Sequence, residues 1–155
     1  TFNYIHFRSH LNDSYFKKVP PKSLDKAYFS DAWLNACLPI ACKNEDVQAT
    51  LLVLTAKTIS DEVIRYSANT QSIILCGGGA NNQALVKEIA HQLIGNQVKT
   101  ANSVGVNGDY IEAMMIAWLA HKTVSRIALD LNSITGAKKP AVLGVLYPPG
   151  IDKGN

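Results

Sequence analysis

Charge is scarce in this chain. Of 155 residues, 17% are Asp, Glu, Lys or Arg and 47% are hydrophobic, whereas soluble domains carry roughly 25% charge. Fifteen Lys+Arg against twelve Asp+Glu leave a formal charge of +3, too little to call for nucleic acid as a partner. Cysteine is sparse as well. Cys37, Cys42 and Cys76 make an odd set without a Cys-x-x-Cys pair, which argues against a disulfide framework and a zinc cluster and fits a reducing compartment. No run of eighteen apolar residues occurs, so no membrane span is expected. The first fifteen residues carry His6, Arg8, His10 and Asp13 in place of a signal-peptide core. A cytoplasmic location is therefore expected. The chain opens on Thr1 rather than Met, and we expect a fragment. What is abundant is apolar surface, enough to bury a sizeable core and exclude disorder.

The apolar spacing lays out the elements. His6 to Leu11 reads as a short helix, and Lys17 to Ser23, with Pro20 and Pro21, as a loop. Asp25 to Leu38 reads as a helix with Tyr28, Phe29 and Trp33 on its apolar side, ended by Pro39. Asp46 to Ser67 is a longer helix, capped by Asp46 or Asn44 and stopping at Asn69, with Leu52, Ala56, Ile59 and Val63 on one stripe. Ser72 to Cys76 suits a strand buried on both faces. Gly77-Gly78-Gly79 is a turn, Asn81 to Ile94 a helix stopped by Gly95, and Gln97 to Thr100 a second strand with Val98 buried. After a loop at Gly105 to Gly108, Asp109 caps a largely buried helix that runs to Val124. Asp130 to Pro140 is a loop, Ala141 to Tyr147 a last strand, and Pro148-Pro149-Gly150 begins a tail. Helix, strand, glycine turn, helix, strand is the pattern of an α/β domain with parallel pairing.

Two motifs carry candidate chemistry. In Leu75-Cys76-Gly77-Gly78-Gly79-Ala80-Asn81-Asn82, three glycines at a strand's carboxyl end permit positive φ and let a ligand approach without a Cβ in the way. Ligands of open α/β sheets bind at that end. The bland alternative is a turn that only needs glycine. Asn82 stands where the dinucleotide fingerprint requires its final glycine, no acid lies in Gln97 to Asn102, and no glycine precedes a lysine as in a P-loop. The turn therefore suits a nucleoside better than a dinucleotide. In Gly108-Asp109-Tyr110-Ile111-Glu112-Ala113, two carboxylates lie three apart in the first turn of a helix, where they stay ionised and can accept from sugar hydroxyls. The alternative is a capping box. For Asp109 the cap is favoured, while for Glu112 both readings stand. His6 and His10 are expected to be exposed, His91 and His121 to sit on polar helix positions, and Cys76 to be a buried structural thiol. Lys17, Lys18 and Lys22 read as a solvated loop, and Thr135 to Lys139 as a surface turn.

Together these stretches resemble the C-terminal lobe of the anhydro-N-acetylmuramic acid kinase family. The resemblance runs from about Leu11 to Pro149. It rests on Pro20-Pro21-Lys22-Ser23, Tyr28-Phe29 with Trp33-Leu34, Asp46 to Leu51, Cys76 to Ala80 with Asn82, Gly108-Asp109 with Glu112-Ala113, Ala117 to Ala120, and Ser133 to Ala137, in that order and spacing. It implies an α/β fold, a ribonuclease-H-like lobe of the actin, hexokinase and heat-shock ATPase type, with a mixed sheet and flanking helices. It also implies one lobe over residues 1–155, with an N-terminal phosphate-binding lobe absent. The implied reaction uses ATP, with Mg2+, and water to open the 1,6-anhydro ring of anhydro-N-acetylmuramic acid and phosphorylate O6. The product is N-acetylmuramic acid 6-phosphate, in peptidoglycan recycling.

By the same resemblance Gly77, Gly78, Gly79 and Asn82 bind the nucleotide, and Glu112 and Asp109 face the sugar. No catalytic residue and no metal ligand falls in this chain. The family's Asp-Gly-Thr-Ser phosphate loop and its general-base aspartate are absent, so the 155 residues alone are expected to be inactive. Apolar surface left by the absent lobe favours a homodimer. The alternative function is a non-catalytic nucleoside-binding or scaffold module.

Overall fold

A computed structural model describes residues 4–148 except 26, 37 and 39–41, with side chains from residue 7 onward. Lys26, Cys37, Pro39, the His6 side chain and the tail from Pro149 lie outside the described residues. The chain divides into two compact units, residues 1–19 with 23–111 and residues 20–22 with 112–155. It is a mixed α/β protein with a small parallel sheet and flanking helices.

The first unit contains α1 (Tyr4–Leu11), α2 (Ser14–Lys17), α3 (Asp31–Asn35), α4 (Asn44–Tyr66), β1 (Ser72–Leu75), α5 (Gln83–Gln92) and β2 (Gln97–Thr100). β1 and β2 pair in parallel, Ser72 opposite Gln97 and Leu75 opposite Thr100. Parallel neighbours need a crossover, and α5 supplies it. Its apolar stripe buries Ile89 and, just past its end, Leu93 against Ala56 of α4, with Ile59, Val63, Ile73, Leu75, Leu85 and Val98 around them. Gly95, at φ +94°, turns the chain back toward β2. α4 packs on both α1 and α5.

The structure departs from the sequence reading at several of these elements. β1 is buried on one face only: Ile73 and Leu75 face the helices while Ile74 is 54% exposed. Among the described residues of this unit, α4 and α5 pack on one face of the two-stranded sheet and nothing covers Ile74 on the other. The expected helix over Asp25 to Leu38 shrinks to α3. Asp25 Oδ1 instead accepts from Ala27 N at 2.7 Å, and Ser30 Oγ accepts from Trp33 N at 3.3 Å and starts the helix afresh. Neither Asn44 nor Asp46 caps α4. Lys43 holds that position without a side-chain bond, and Asp46 lies in the first turn, where a negative charge favours the helix dipole. The far end of α4 is as expected, with Tyr66 the last helical residue and Ser67 the C-cap. His10, expected exposed, is buried and meets the Trp33 ring edge-on at 4.3 Å. Cys76 is exposed rather than buried.

The N-terminal arm is organised by one carboxylate. Asp13 Oδ1 accepts from Tyr15 N at 2.7 Å, capping α2, and from Tyr28 Oη at 2.8 Å; Oδ2 accepts from Trp33 Nε1 at 2.8 Å. Around it Phe29 packs on Trp33 at 4.8 Å and stacks on Phe16 at 5.6 Å. Partial burial works to raise the Asp13 carboxyl. The hydrogen bonds from Tyr15, Trp33 and Tyr28, with the Lys18 charge, outweigh it and hold the group below its ordinary value.

The second unit holds α6 (Ile111–Val124) beyond its first residue and α7 (Asn132–Thr135). α6 was expected to be largely buried. Met114, Met115, Ile116 and Trp118 are instead 49–60% exposed, since no element among the described residues of its own unit covers them. Lys122 Nζ lies 5.3 Å from the Trp118 ring centre. The loop from Asp130 contains α7, ended by Gly136 at φ +75°. The expected strand Ala141 to Tyr147 reduces to one antiparallel bridge, Leu129 with Ala141. Thr123 Oγ1 donates to Leu143 O, and Val145, Leu146 and Tyr147 are exposed. No helix among the described residues is long and apolar enough to cross a membrane.

The lowered Asp13 value fixes a pH dependence. Its stabilisation is complete above the unfolded value of 3.8 and is lost as pH falls through the lower folded value. Asp13→Asn should therefore lose less urea stability than the wild type between about pH 6 and about pH 3. Equal losses would mean that the fold does not favour the ionised Asp13 carboxylate.

Candidate functional site

Because β1 and β2 run parallel, their carboxyl ends lie together, and the segments that follow them meet at one edge of the sheet. After β1, Gly77 adopts φ +78°, ψ 179°, and Gly78–Asn81 form a 3-10 turn. That backbone combination is open almost only to glycine. Gly78 and Gly79 differ. Neither has positive φ; a Cβ on Gly78 would meet nothing within 4 Å, and one on Gly79 would only touch Leu85 at 3.7 Å. Of the three glycines, the turn itself requires one.

Asn82 ends this turn and starts α5. Its Oδ1 accepts from Ala84 N at 3.1 Å and from Leu85 N at 3.2 Å. This is an N-cap, and it leaves the amide NH2 for other partners. Asn82 also lines a groove of about 460 Å³ with Glu45, Gln48, Leu52, Thr55 and Leu85. That volume falls within the range of small-molecule sites, roughly 300–1,000 Å³.

After β2 the chain is stapled in place. Ser103 Oγ donates to Thr100 O at 2.7 Å, and Val106 N donates to Ala101 O at 3.0 Å. Gly105, at φ +82°, ends the turn over Ala101–Val104. Gly108 N then donates to Asn102 Oδ1 at 2.8 Å. A Cβ on Gly108 would stand 3.7 Å from Ala101 Cβ and 3.8 Å from Gly77 N, so the two post-strand segments are in contact. Between them lies a small cavity of about 30 Å³, lined by Leu75, Gly77, Ala80, Asn81, Thr100, Ala101, Asn102, Gly108 and Asp109. A single water needs about 10–15 Å³ by that measure, so one or two polar groups of a ligand fit there and a whole nucleoside does not.

Asp109 thus joins Gly77 at one cavity. It is not the helix cap. Asn107 caps the 3-10 turn Gly108–Tyr110 that leads into α6, its Oδ1 accepting from Asp109 N at 2.9 Å. The N–H that Glu112 would satisfy in a capping box is therefore already occupied. Glu112 lies in the first turn of α6, exposed. His91 and His121 are exposed on their helices, as expected of polar positions, and Lys17 and Lys18 are exposed near the proline loop. Among the described residues, no three His, Cys, Asp or Glu side chains gather in a way that would hold a metal ion. Sequence reasoning missed Asn102 and Asn107. The signal for Asn102 was its place just after a strand parallel to β1, at the level of the glycine turn.

A family profile described as anhydro-N-acetylmuramic acid kinase matches residues 3–149. The chain belongs to that family. It is 46% identical over 138 residues to an anhydro-N-acetylmuramic acid kinase of Legionella pneumophila (strain Lens), covering 89% of this chain and 38% of the relative. A protein of the same name from Nitrosomonas europaea is 41% identical, again over 89% of this chain and 38% of the relative. One from Vibrio vulnificus is 44% identical over 140 residues, with the same coverage. The chain thus spans about 38% of the length of these curated relatives.

The glycine geometry separates backbone need from space. Gly77→Ala should lower unfolding free energy by about 1–3 kcal/mol, the usual range for a side chain forced into such a backbone state. Gly78→Ala should stay within about 0.5 kcal/mol. Urea denaturation of both variants measures the difference, and equal effects would remove positive φ as the constraint.

Proposed function

We propose that this chain is the nucleoside-holding C-terminal lobe of an ATP-dependent anhydro sugar kinase, of ribonuclease-H-like type. The full enzyme would open the 1,6-anhydro ring of anhydro-N-acetylmuramic acid and phosphorylate O6, giving N-acetylmuramic acid 6-phosphate in cytoplasmic peptidoglycan recycling. The observation that carries this reading is the turn after β1, and within it Gly78, which the described fold does not need to be glycine. The turn stands at the carboxyl end of β1, beside the end of β2, with Gly78 open to a ligand and a groove at Asn82. Family membership supplies the chemistry.

In this reading Gly77, Gly78, Gly79 and Asn82 hold the nucleotide, and the groove along α4 and α5 receives its bulk. Asp109 and Glu112 serve the sugar as carboxylate acceptors, a reading that gains support because Asn107 already takes the Asp109 N–H that Glu112 would meet in a capping box. ATP brings Mg2+ with its phosphates. The described residues offer no cluster fit to hold that ion, so no step is assigned through a metal held by this chain. The phosphate loop and the general base belong to the other lobe, the partner this lobe needs for closure and water exclusion. The exposed apolar side chains of α6 suit such a covering partner, or a second copy in a homodimer.

Calorimetric titration with ADP tests the nucleotide reading. Gly78→Leu should weaken ADP by about tenfold or more with the melting temperature unchanged. Full affinity in that variant would move the nucleotide away from the turn. The 155 residues alone should give no ring-opening phosphorylation, and detectable product would overturn the division of labour between lobes. In the intact enzyme, Glu112→Ala should lower kcat/KM with little loss of stability. The reverse pattern, stability lost and activity kept, would favour a scaffold module.

A further inference from the structure

Asn102 holds a position that the nucleotide reading leaves unused, and its chemistry is fully determined. Gly108 N–H is a donor, and of the two ends of an Asn side chain only Oδ1 can accept. The 2.8 Å bond from Gly108 N to Asn102 therefore fixes which way the amide is turned. Its carbonyl is spent on the loop. Its NH2 has no partner among the described residues and belongs to a residue that lines the small cavity. The cavity's other polar walls complement it. Asp109 supplies a carboxylate, which only accepts. Thr100 Oγ1 accepts from Ser103 N at 3.4 Å, and its O–H remains to donate. One wall thus donates and another accepts, in space for one or two small polar groups. A phosphate is disfavoured beside a carboxylate, and an apolar group would make no use of these polar walls. A hydroxyl, which both donates and accepts, satisfies both.

We propose that Asn102 is a positioning and specificity-determining residue that seats the Gly108 loop through its carbonyl and, through its NH2 in the cavity that Asp109 also lines, reads a sugar hydroxyl of the ligand. This inference rests on the kinase reading given above. The hydroxyl can come from the ribose of the nucleotide or from the anhydro sugar, and the two sources are separable by experiment.

Asn102→Asp keeps an acceptor for Gly108 N–H and removes the NH2 donor. Asn102→Ala removes both. Wild type and variants would be titrated in the intact enzyme with ADP, 2′-deoxy-ADP, 3′-deoxy-ADP and anhydro-N-acetylmuramic acid, with melting temperatures alongside. Asn102→Asp should melt within about 2 °C of wild type yet bind one of ADP or the anhydro sugar about tenfold more weakly. If ADP is affected, one deoxy analogue should bind wild type as weakly as ADP binds the variant, which names the ribose. If only the anhydro sugar is affected, the hydroxyl is the acceptor substrate's. Asn102→Ala should show the same affinity loss together with a lower melting temperature. Unchanged affinity for both ligands in Asn102→Asp overturns the proposal while leaving the kinase reading intact. A wild type that binds neither ligand overturns both.

Discussion

The site depends on one constraint, the parallel pairing of β1 with β2. A parallel pair cannot be closed by a tight turn, so the chain must travel back to the starting end before the second strand begins. α5 makes that journey and in doing so buries Ile89 and Leu93, the centre of the core. The register then decides the rest. With Ile73 opposite Val98 and Leu75 opposite Thr100, the apolar positions share the face beneath the helices. A slip of one residue in β2 would turn Lys99 inward and Val98 outward. Held in this register, both strands release the chain at the same edge. The Gly77 turn and the Asn102 loop meet there because the core leaves them no other place.

The N-terminal arm is held by different physics. It offers few fully buried side chains, Phe7 and His10 among them. Its order comes from donors converging on the Asp13 carboxylate and from aromatic faces packed around them. Charge-assisted hydrogen bonds are directional where apolar burial is not. One short side chain can therefore fix the relative positions of α2, Tyr28 and α3. The arm answers to pH, while the β1–α5–β2 unit answers to packing.

How much of this the sequence disclosed follows from the range of the interactions. β1, α5 and β2 were legible because each is defined by spacing within itself and bounded by glycine or a capping polar residue. Family membership was legible for a related reason, since the ordered short motifs need no knowledge of contacts. Asp13 was not legible, because its partners lie 2, 15 and 20 residues away and no periodicity links them. The burial of α6 and the strand at Ala141 to Tyr147 were misread for the opposite reason. Their composition reports what the element is made to contact, and its own unit does not provide those contacts. At Asp109 the pattern was right and the role wrong. A carboxylate before a helix reads as a cap, but Asp109 sits inside the 3-10 turn that Asn107 caps, and Asn107 Oδ1 takes Asp109's own N–H.

The glycine run carries the last step. A triple glycine is ambiguous in sequence, because turn formation and ligand access both ask for it. In three dimensions the two demands fall on different residues. Gly77 has a backbone state that a side chain would strain, so its identity is explained without a ligand. Gly78 has an ordinary backbone and open space where a Cβ would stand. Neither its conformation nor packing among the described residues requires it to be glycine. The proposed nucleotide, approaching beside the groove at Asn82 and the polar cavity at Asn102, would supply a reason. Gly78, the glycine that the described fold does not need, is thus the residue on which the proposed nucleotide site turns.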